Sequence, residues 1–417
     1  MNDIEDQIEP VEGALETRAT VKLRPGAGKR LRAGAPWVYA DEIAMDRRTK
    51  ALAPGSLVRL VEGGREGGDR LLGLFAFNPA SQIAARLIDA DADAAIDAAW
   101  FARALRRALS LRTLLLGDTP YHRLVHAEGD GLPGLVIDRY GEAVVLQPNA
   151  AWLDCRVDLV VAGLDAALPA PPATVIVNAQ SRVRALEGLE TDLRTLRGGA
   201  DDPVPVPMNG ATYMADLAGG QKTGLFYDQR FNHAAAAGLA KGGAVLDVFA
   251  HVGGFGLAAL AAGAARVVAV DSSAPALALA EDGARRSGVA ERYETRKADA
   301  FDAMRAAAEA GERYAMVVCD PPAFAPHKGA LEAGLRAYEK TARLAAPLVG
   351  PGGWLVLCSC SGAVSAEALR EASVRGIRAA GRAGALVQTG RAGPDHPQHM
   401  ALPETGYLKA LFFRLDG

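Results

Sequence analysis

Cysteine is scarce in this chain, with four in 417 residues, and that scarcity excludes a disulfide framework. No basic start followed by an apolar core opens the first twenty residues, so no secretory signal is read there. The one long apolar stretch, Val248 to Ala265, is broken by His251 and three glycines near its start. It reads as a buried strand and helix, not a membrane span. Net charge is only −3, which does not announce a nucleic acid partner by itself. No internal repeat or long low-complexity tract is present beyond a general excess of alanine. No four-ligand metal pattern accompanies the Cys358-Ser-Cys360 pair. Half the residues are apolar, enough for an ample core, and the length implies two or three domains. A cytoplasmic location is expected, with no membrane association and no metal.

The balanced net charge conceals local asymmetry. Residues 1–20 hold six acids and one arginine, and residues 21–48 hold seven basic residues against three acids. Residues 1–19 are expected to be a disordered acidic tail. Residues 20–95 show short alternating strands between glycine turns, as in a small β barrel. A helix is expected at 93–116. Residues 96–205 read as that helix followed by a small α+β domain. Its strands fall near 123–126, 135–138, 143–148, 174–177 and 185–189. Alternate prolines in Asp202-Pro-Val-Pro-Val-Pro207 read as an extended linker. From 206 to 417 strands and helices alternate, as in an α/β domain with a doubly wound parallel sheet.

The chemistry concentrates in that last block. Val245-Leu-Asp-Val-Phe-Ala-His-Val-Gly-Gly-Phe-Gly256 is a buried strand running into a glycine turn and a helix. The next strand, Arg266–Asp271, ends on a carboxylate 18 residues after Gly253. That spacing suits an acid reaching ribose hydroxyls. The loop is not the dinucleotide GxGxxG. An acidic pocket without a pyrophosphate cradle fits a cationic nucleoside, and S-adenosyl-L-methionine is the common one. Asp247, Phe249, Gly253, Gly254, Phe255, Asp271, Asp299 and Asp320 are the cofactor candidates here; His251 is read as a loop or packing residue. Another apolar strand ends at Asp320-Pro-Pro322, where the prolines stiffen the chain. A further strand ends at Cys358-Ser-Cys360. Strand C-termini face the ligand crevice in such sheets, so this block is expected to be a methyltransferase domain.

Several strings carry a closer resemblance. Gly220-Gln-Lys-Thr-Gly-Leu-Phe-Tyr-Asp-Gln-Arg230, Asp320-Pro-Pro322, Cys358-Ser-Cys-Ser-Gly362, Asp395-His-Pro397 and Pro403-Glu-Thr-Gly-Tyr-Leu-Lys409 resemble the bacterial large-subunit (23S) ribosomal RNA cytosine-5 methyltransferase family. The likeness spans nearly the whole chain from about residue 20. It implies an N-terminal PUA domain, a small central α/β domain and a C-terminal Rossmann-like class I methyltransferase domain. It also implies ribosomal RNA as partner and methyl transfer to cytosine C5. Cys360 stands at the family's nucleophile position, and Asp320 would act on cytosine N3. Thr223, Gly224 and Phe226 would lie by the cofactor, and Arg230 and Lys409 by the RNA. Lys22, Arg24, Lys29, Arg30, Arg32 and Trp37 would contact RNA. The chain departs from the family at Ala323, which is commonly Lys there. Oligomeric state is left open, a homodimer being one arrangement. Two other readings stay open: methylation of a purine nitrogen without a cysteine, and a non-catalytic RNA-binding assembly factor.

Overall fold

The computed structural model describes residues 18–64, 68–199, 202–219 and 224–416. Most of the expected acidic tail, and Thr223 among the cofactor candidates, lie outside these. The chain divides into two compact units, residues 1–95 and 96–417.

The first unit is a five-stranded sheet in the order β1-β3-β4-β5-β2, from β1 (Thr20–Lys22), β2 (Trp37–Val38), β3 (Ser56–Gly63), β4 (Asp69–Phe77) and β5 (Ala85–Asp89). Short helices α1 (Lys29–Arg32) and α2 (Arg47–Lys50) fill the connections. Alternation of apolar and polar residues gives each strand one inward face, and Val58, Leu60, Phe75 and Phe77 are fully buried from it.

The second unit opens with α3 (Ala98–Leu116), capped by Asp97, whose side chain accepts from the Trp100 N–H at 2.7 Å. A five-stranded sheet follows in the order β10-β9-β8-β7-β6. Its strands are β6 (Tyr121–His126), β7 (Leu135–Tyr140), β8 (Ala143–Pro148), β9 (Thr174–Ala179) and β10 (Asp192–Arg197). Helices α4 (Ala151–Asp154) and α5 (Val157–Ala167) cross from β8 to the parallel β9. Helix α5 rides close on α3 because Gly163 has no side chain; a Cβ there would sit 2.6 Å from that of Phe101.

Two sequence expectations are corrected in this region. Residues 182–187 form a 3-10 turn, not a strand at 185–189. The buried Arg184 sets that turn, donating to Glu190 O (2.9 Å) and to the Asp154 carboxylate (2.8 Å). The proline-rich 202–207 segment is no free linker, since β11 (Val204–Met208) pairs antiparallel with β12 (Ala211–Ala215). Its prolines take the exposed positions while Val206 and Met208 face the core, a pattern open to strands whose proline side needs no N–H partner.

The large sheet has seven strands in the order β15-β14-β13-β16-β17-β19-β18. They are β13 (Ala244–Val248), β14 (Arg266–Asp271), β15 (Tyr293–Lys297), β16 (Tyr314–Cys319), β17 (Val349–Ser359), β18 (Gly384–Gly390) and β19 (Lys409–Leu415). Strand β19 runs antiparallel to both its neighbours, β17 and β18. Helices α6 (Arg230–Leu239), α7 (Gly254–Ala261), α8 (Ala274–Arg286), α9 (Ala300–Glu309), α10 (Leu331–Ala345) and α11 (Ala366–Ala379) complete the alternation. The central strands are covered on both faces, which is why they read as continuous apolar runs. Strand order reverses between β13 and β16, and a crevice opens at such a switch point.

The two sheets of this unit share one core: Tyr140, Val145 and Ile176 join Val245 and Met316 in a single buried cluster. A polar seam reinforces it. Arg112, fully buried, donates from Nη2 to Asp130 Oδ2 (2.7 Å) and to the carbonyl of Asp395 (2.8 Å), and from Nε to Arg123 O (2.9 Å). Asp395 Oδ2 in turn accepts the Arg123 N–H at 3.2 Å. Truncation of a buried ion-pair partner strands the other charge, at about 3–5 kcal/mol. Arg112→Ala is therefore expected to lower unfolding free energy by about that amount in urea titration, an exposed-site control such as Arg336→Ala changing little.

Candidate active site

The turn after β13 is built from residues in unusual backbone conformations. Phe249 (φ 65°), His251 (φ 49°) and Gly253 (φ 83°) all have positive φ, which is costly for the first two. Hydrogen bonds offset that cost. Asp271 at the end of β14 accepts the His251 N–H at 2.9 Å and the Ser273 N–H at 2.8 Å. From the other side Asp247 accepts the Gly256 N–H at 2.8 Å. The turn thereby presents the N-terminus of α7 to the crevice. A Cβ on Gly254 would lie 2.6 Å from the His233 ring, so only glycine passes there.

A cavity of about 420 Å³ opens at this place. Residues at or just past the ends of β13, β14, β16 and β17 line it: Phe249 with His251, Asp271, Asp320 and Cys360. Phe226, Asp228, Gln229 and His233 close it from the segment entering α6. Phe226 packs edge-on against His251 with ring centroids 5.0 Å apart. Asp320 is oriented by a relay: its Oδ2 accepts from Gln229 Nε2 at 2.9 Å, and Gln229 Oε1 accepts from Asn232 Nδ2 at 2.6 Å. Asn232 itself is tied to the carbonyl of Arg391 at 3.1 Å. His233 is buried, and desolvation brings its pKa down to about 3, so its ring is neutral.

The cysteines separate by position. Cys358, inside β17, is 1% exposed and its thiol is pushed well above the ordinary range, first by burial. Cys319, inside β16, is likewise fully buried. Cys360 lies one residue past the end of β17, is half-buried and faces the cavity. Below it Ser359 Oγ donates to Tyr338 Oη at 2.8 Å, Tyr338 Oη lies 2.8 Å from Ser361 Oγ, and Ser361 Oγ accepts the Ala325 N–H at 3.1 Å. This network clamps the turn that carries Cys360 to the loop after Asp320.

Several expected site residues sit elsewhere. Asp247 is 1% exposed and lies beneath the glycine turn, not on the cavity wall; it shapes the backbone. Burial, with Asp320 and Asp271 adding, raises its pKa to about 7 against the Gly256 hydrogen bond. Gly253 caps α7 and also stays off the wall, whereas Gly254 and Phe255 are on it. Asp299 is exposed and caps α9 through the N–H groups of Phe301 (2.9 Å) and Asp302 (3.1 Å); it is not among the cavity-lining residues. Gly224 is held with φ 100° against Asp216. Arg230 is buried, donates to the Tyr121 carbonyl, and lies over the Tyr227 ring at 5.3 Å, so its guanidinium joins the two sheets of this unit. Lys409 is buried too, its Nζ donating to the Ser361 and Val364 carbonyls at 2.7 Å each.

Sequence reasoning missed Gln229 and His233, and set His251 aside. Gln229 stood inside the Asp228-Gln-Arg230 string, and a three-to-four-residue helical spacing links it to Asn232 and His233. That spacing was the available signal.

In the first unit Lys22, Arg24, Lys29, Arg30 and Arg32 are all exposed. Lys22 pairs with Asp69 at 2.6 Å and Arg32 with Glu62, surface pairs of little energy. The Arg24 Nε donates to Ile43 O at 2.9 Å. Arg30 lies over the Tyr39 ring at 5.2 Å, and Arg86 over Trp37 at 5.8 Å.

Residues 190–414 match the model of the S-adenosylmethionine-dependent methyltransferase family. The chain belongs to that family. Residues 21–90 match a PUA-like domain. The chain is 35% identical over 95% of its length to a Shewanella denitrificans protein named ribosomal RNA large subunit methyltransferase I, covering 99% of that protein. It is 34% identical to a Deinococcus radiodurans ribosomal RNA large subunit methyltransferase, over 96% of this chain and 98% of that one. The fold matches SMU.776, described as a methyltransferase complexed with SAH, at a TM-score of 0.79 and 19% identity, covering 95% of this chain and 99% of that one.

The cavity fits the family's cofactor. Its volume suits a nucleoside with an amino-acid tail, Phe249 and Phe226 offer apolar surface, and Asp228, Asp271 and Asp320 make it acidic, as a sulfonium requires. No helix among the described residues is long and apolar enough to cross a membrane.

Asp271→Ala removes both the turn anchor and a carboxylate from the cavity wall, and cofactor affinity measured by calorimetry is expected to fall at least ten-fold. Asp247 keeps a proton up to about pH 7 in the folded chain but releases it near its ordinary 3.8 when unfolded. Folding thus takes up a proton between those values, and the contribution of Asp247 to stability declines as pH rises across them. Asp247→Asn keeps an acceptor for Gly256 without this titration. Its unfolding free energy relative to wild type is expected to rise by up to about 4 kcal/mol from pH 4 to pH 8 in urea titrations.

Proposed function

We propose that this chain methylates ribosomal RNA of the large subunit, forming 5-methylcytosine with Cys360 as nucleophile. The observation that carries the reading is the placement of the Cys360 thiol and the Asp320 carboxylate on one cavity, at the ends of the neighbouring strands β17 and β16. The names of the relatives support large-subunit ribosomal RNA as the substrate class. The PUA-like unit with its exposed Lys22, Arg24, Lys29, Arg30 and Arg32 supplies cations for phosphates and, at Trp37, a ring for stacking.

Carbon 5 of cytosine is a poor nucleophile until C6 is attacked. Cys360 adds as a thiolate to C6, forming an S–C6 bond and moving an electron pair toward C5. Asp320, held at one oxygen by Gln229, acts in its protonated form, donating a hydrogen bond to ring N3 and stabilising the negative charge that develops there. The cofactor supplies an electrophilic methyl group on its sulfonium. C5 bonds to that methyl, S-adenosylhomocysteine is released, the C5 proton passes to a base, and the S–C6 bond breaks to return the thiolate. Ala323 offers no second thiol for that last step. The target base must leave its stack first, at a cost of about a few kcal/mol.

Nucleoside mass spectrometry of large-subunit RNA from cells lacking this protein is expected to show loss of one 5-methylcytidine, restored by wild type and not by Cys360→Ala. RNA carrying 5-fluorocytidine, which has no C5 proton to lose, is expected to trap a covalent complex with wild type alone on a denaturing gel. A lost methylpurine, restored by both versions, would replace this reading with nitrogen methylation. Cofactor binding with no RNA product would point to an assembly factor.

A further inference from the structure

Lys409 begins β19, paired in register with Ser359 at the end of β17. It is 7% exposed, and lysine is rarely so buried without a partner. Two of its three N–H donors go to the carbonyls of Ser361 and Val364, both in the turn that follows Cys360. No carboxylate forms an ion pair with it among the described residues. An ammonium in this position needs a countercharge, because desolvating a cation costs several kcal/mol. Burial lowers its pKa, and the charge that opposes that lowering is Cys360.

We propose that Lys409 is the counter-ion of the Cys360 thiolate, reaching the sulfur side of the turn it holds with two carbonyl hydrogen bonds. The proposal rests on the reading of Cys360 as nucleophile and gives the thiol what that role requires, since a nucleophilic cysteine needs a cation or dipole beside it. Other groups face Cys360 without supplying a positive charge. Tyr338 on α10 and Tyr407 ahead of β19 both have phenol pKa values raised by burial and by Cys360, so they are neutral. Asp228, ahead of α6, and Asp320, past β16, share the cavity and, when ionised, disfavour a thiolate. Lys409 is thus the group whose charge decides the ionisation of Cys360. It acts as a positioning residue: the base meets the sulfur, and Lys409 stabilises the sulfur's charge from behind.

The test is the rate of iodoacetamide alkylation of Cys360 against pH in the full-length protein, resolved by peptide mass spectrometry, for wild type, Lys409→Met and Lys409→Arg. Wild type is expected to titrate below the ordinary thiol value of about 8.5. Lys409→Met should move the midpoint up by about one pH unit or more, slowing alkylation at pH 7 roughly ten-fold, and Lys409→Arg should restore part of the shift. The exposed Cys155, read in the same digest, should not move. A merely structural lysine would change melting temperature and leave the midpoint alone. An unchanged midpoint in folded Lys409→Met overturns the proposal, and so does a wild-type midpoint at or above about 8.5, which decides the matter even where the variants fail to fold. Persistent 5-methylcytidine formation by Cys360→Ala would instead remove the nucleophile reading while leaving a Lys409-dependent midpoint in force.

Discussion

The backbone of one turn governs the site, and two carboxylates hold that turn. Asp271 and Asp247 grip it from opposite sides through the N–H groups of His251 and Gly256. Without them Phe249 and His251 would have no reason to keep a positive φ. With them, α7 points its N-terminus into the crevice and the aromatic rings of Phe226 and His251 meet across its edge. The other side of the cavity is arranged relative to this fixed rim. Asp320 leaves the adjacent strand β16, and its N–H returns to Val248 O at the end of β13 at 3.3 Å.

The division of labour between the two carboxylates illustrates how burial decides chemistry. Both are aspartates at or near the end of a parallel strand. Asp271 faces the cavity and has oxygen lone pairs to share with a ligand. Asp247 is enclosed under the turn, where desolvation favours its neutral form. One is therefore available for recognition, and the other tensions the scaffold.

Much of the arrangement was legible in the chain. Continuous apolar runs ending in Asp271, Asp320 and Cys360 located three strand ends, because a parallel sheet delivers each strand's C-terminus to one edge. Which side an end residue faces was not legible. Asp299 follows β15, as expected of a ligand, yet spends an oxygen on capping α9. The resemblance of the segment ending at Arg230 sets that charge beside RNA, but the side chain is folded inward against Tyr227 and the Tyr121 carbonyl. The first outcome turns on which way a strand-end side chain rotates, and the second on a carbonyl 109 residues away in the chain. Gln229 was hidden for the opposite reason, being a neutral side chain whose importance comes only from the Asp320 oxygen it meets. The proline-rich segment misled because alternation of proline with valine satisfies an extended linker and a hairpin equally well.

The buried seam joins Arg112 to the backbone of Asp395, 283 residues later, and Tyr407 and Lys409 come later still. A ribosome making this protein must therefore deliver nearly the entire chain before the central sheet can settle on its neighbour. Until then Arg112 lacks one of its carbonyl acceptors, and β17 lacks the antiparallel partner that brings Lys409 beside the turn bearing Cys360. Contacts that close such long loops form late. Cys360 consequently acquires its surroundings at the end of synthesis, and a chain truncated shortly before β19 keeps the glycine turn in its sequence while never assembling the ring of groups around that thiol.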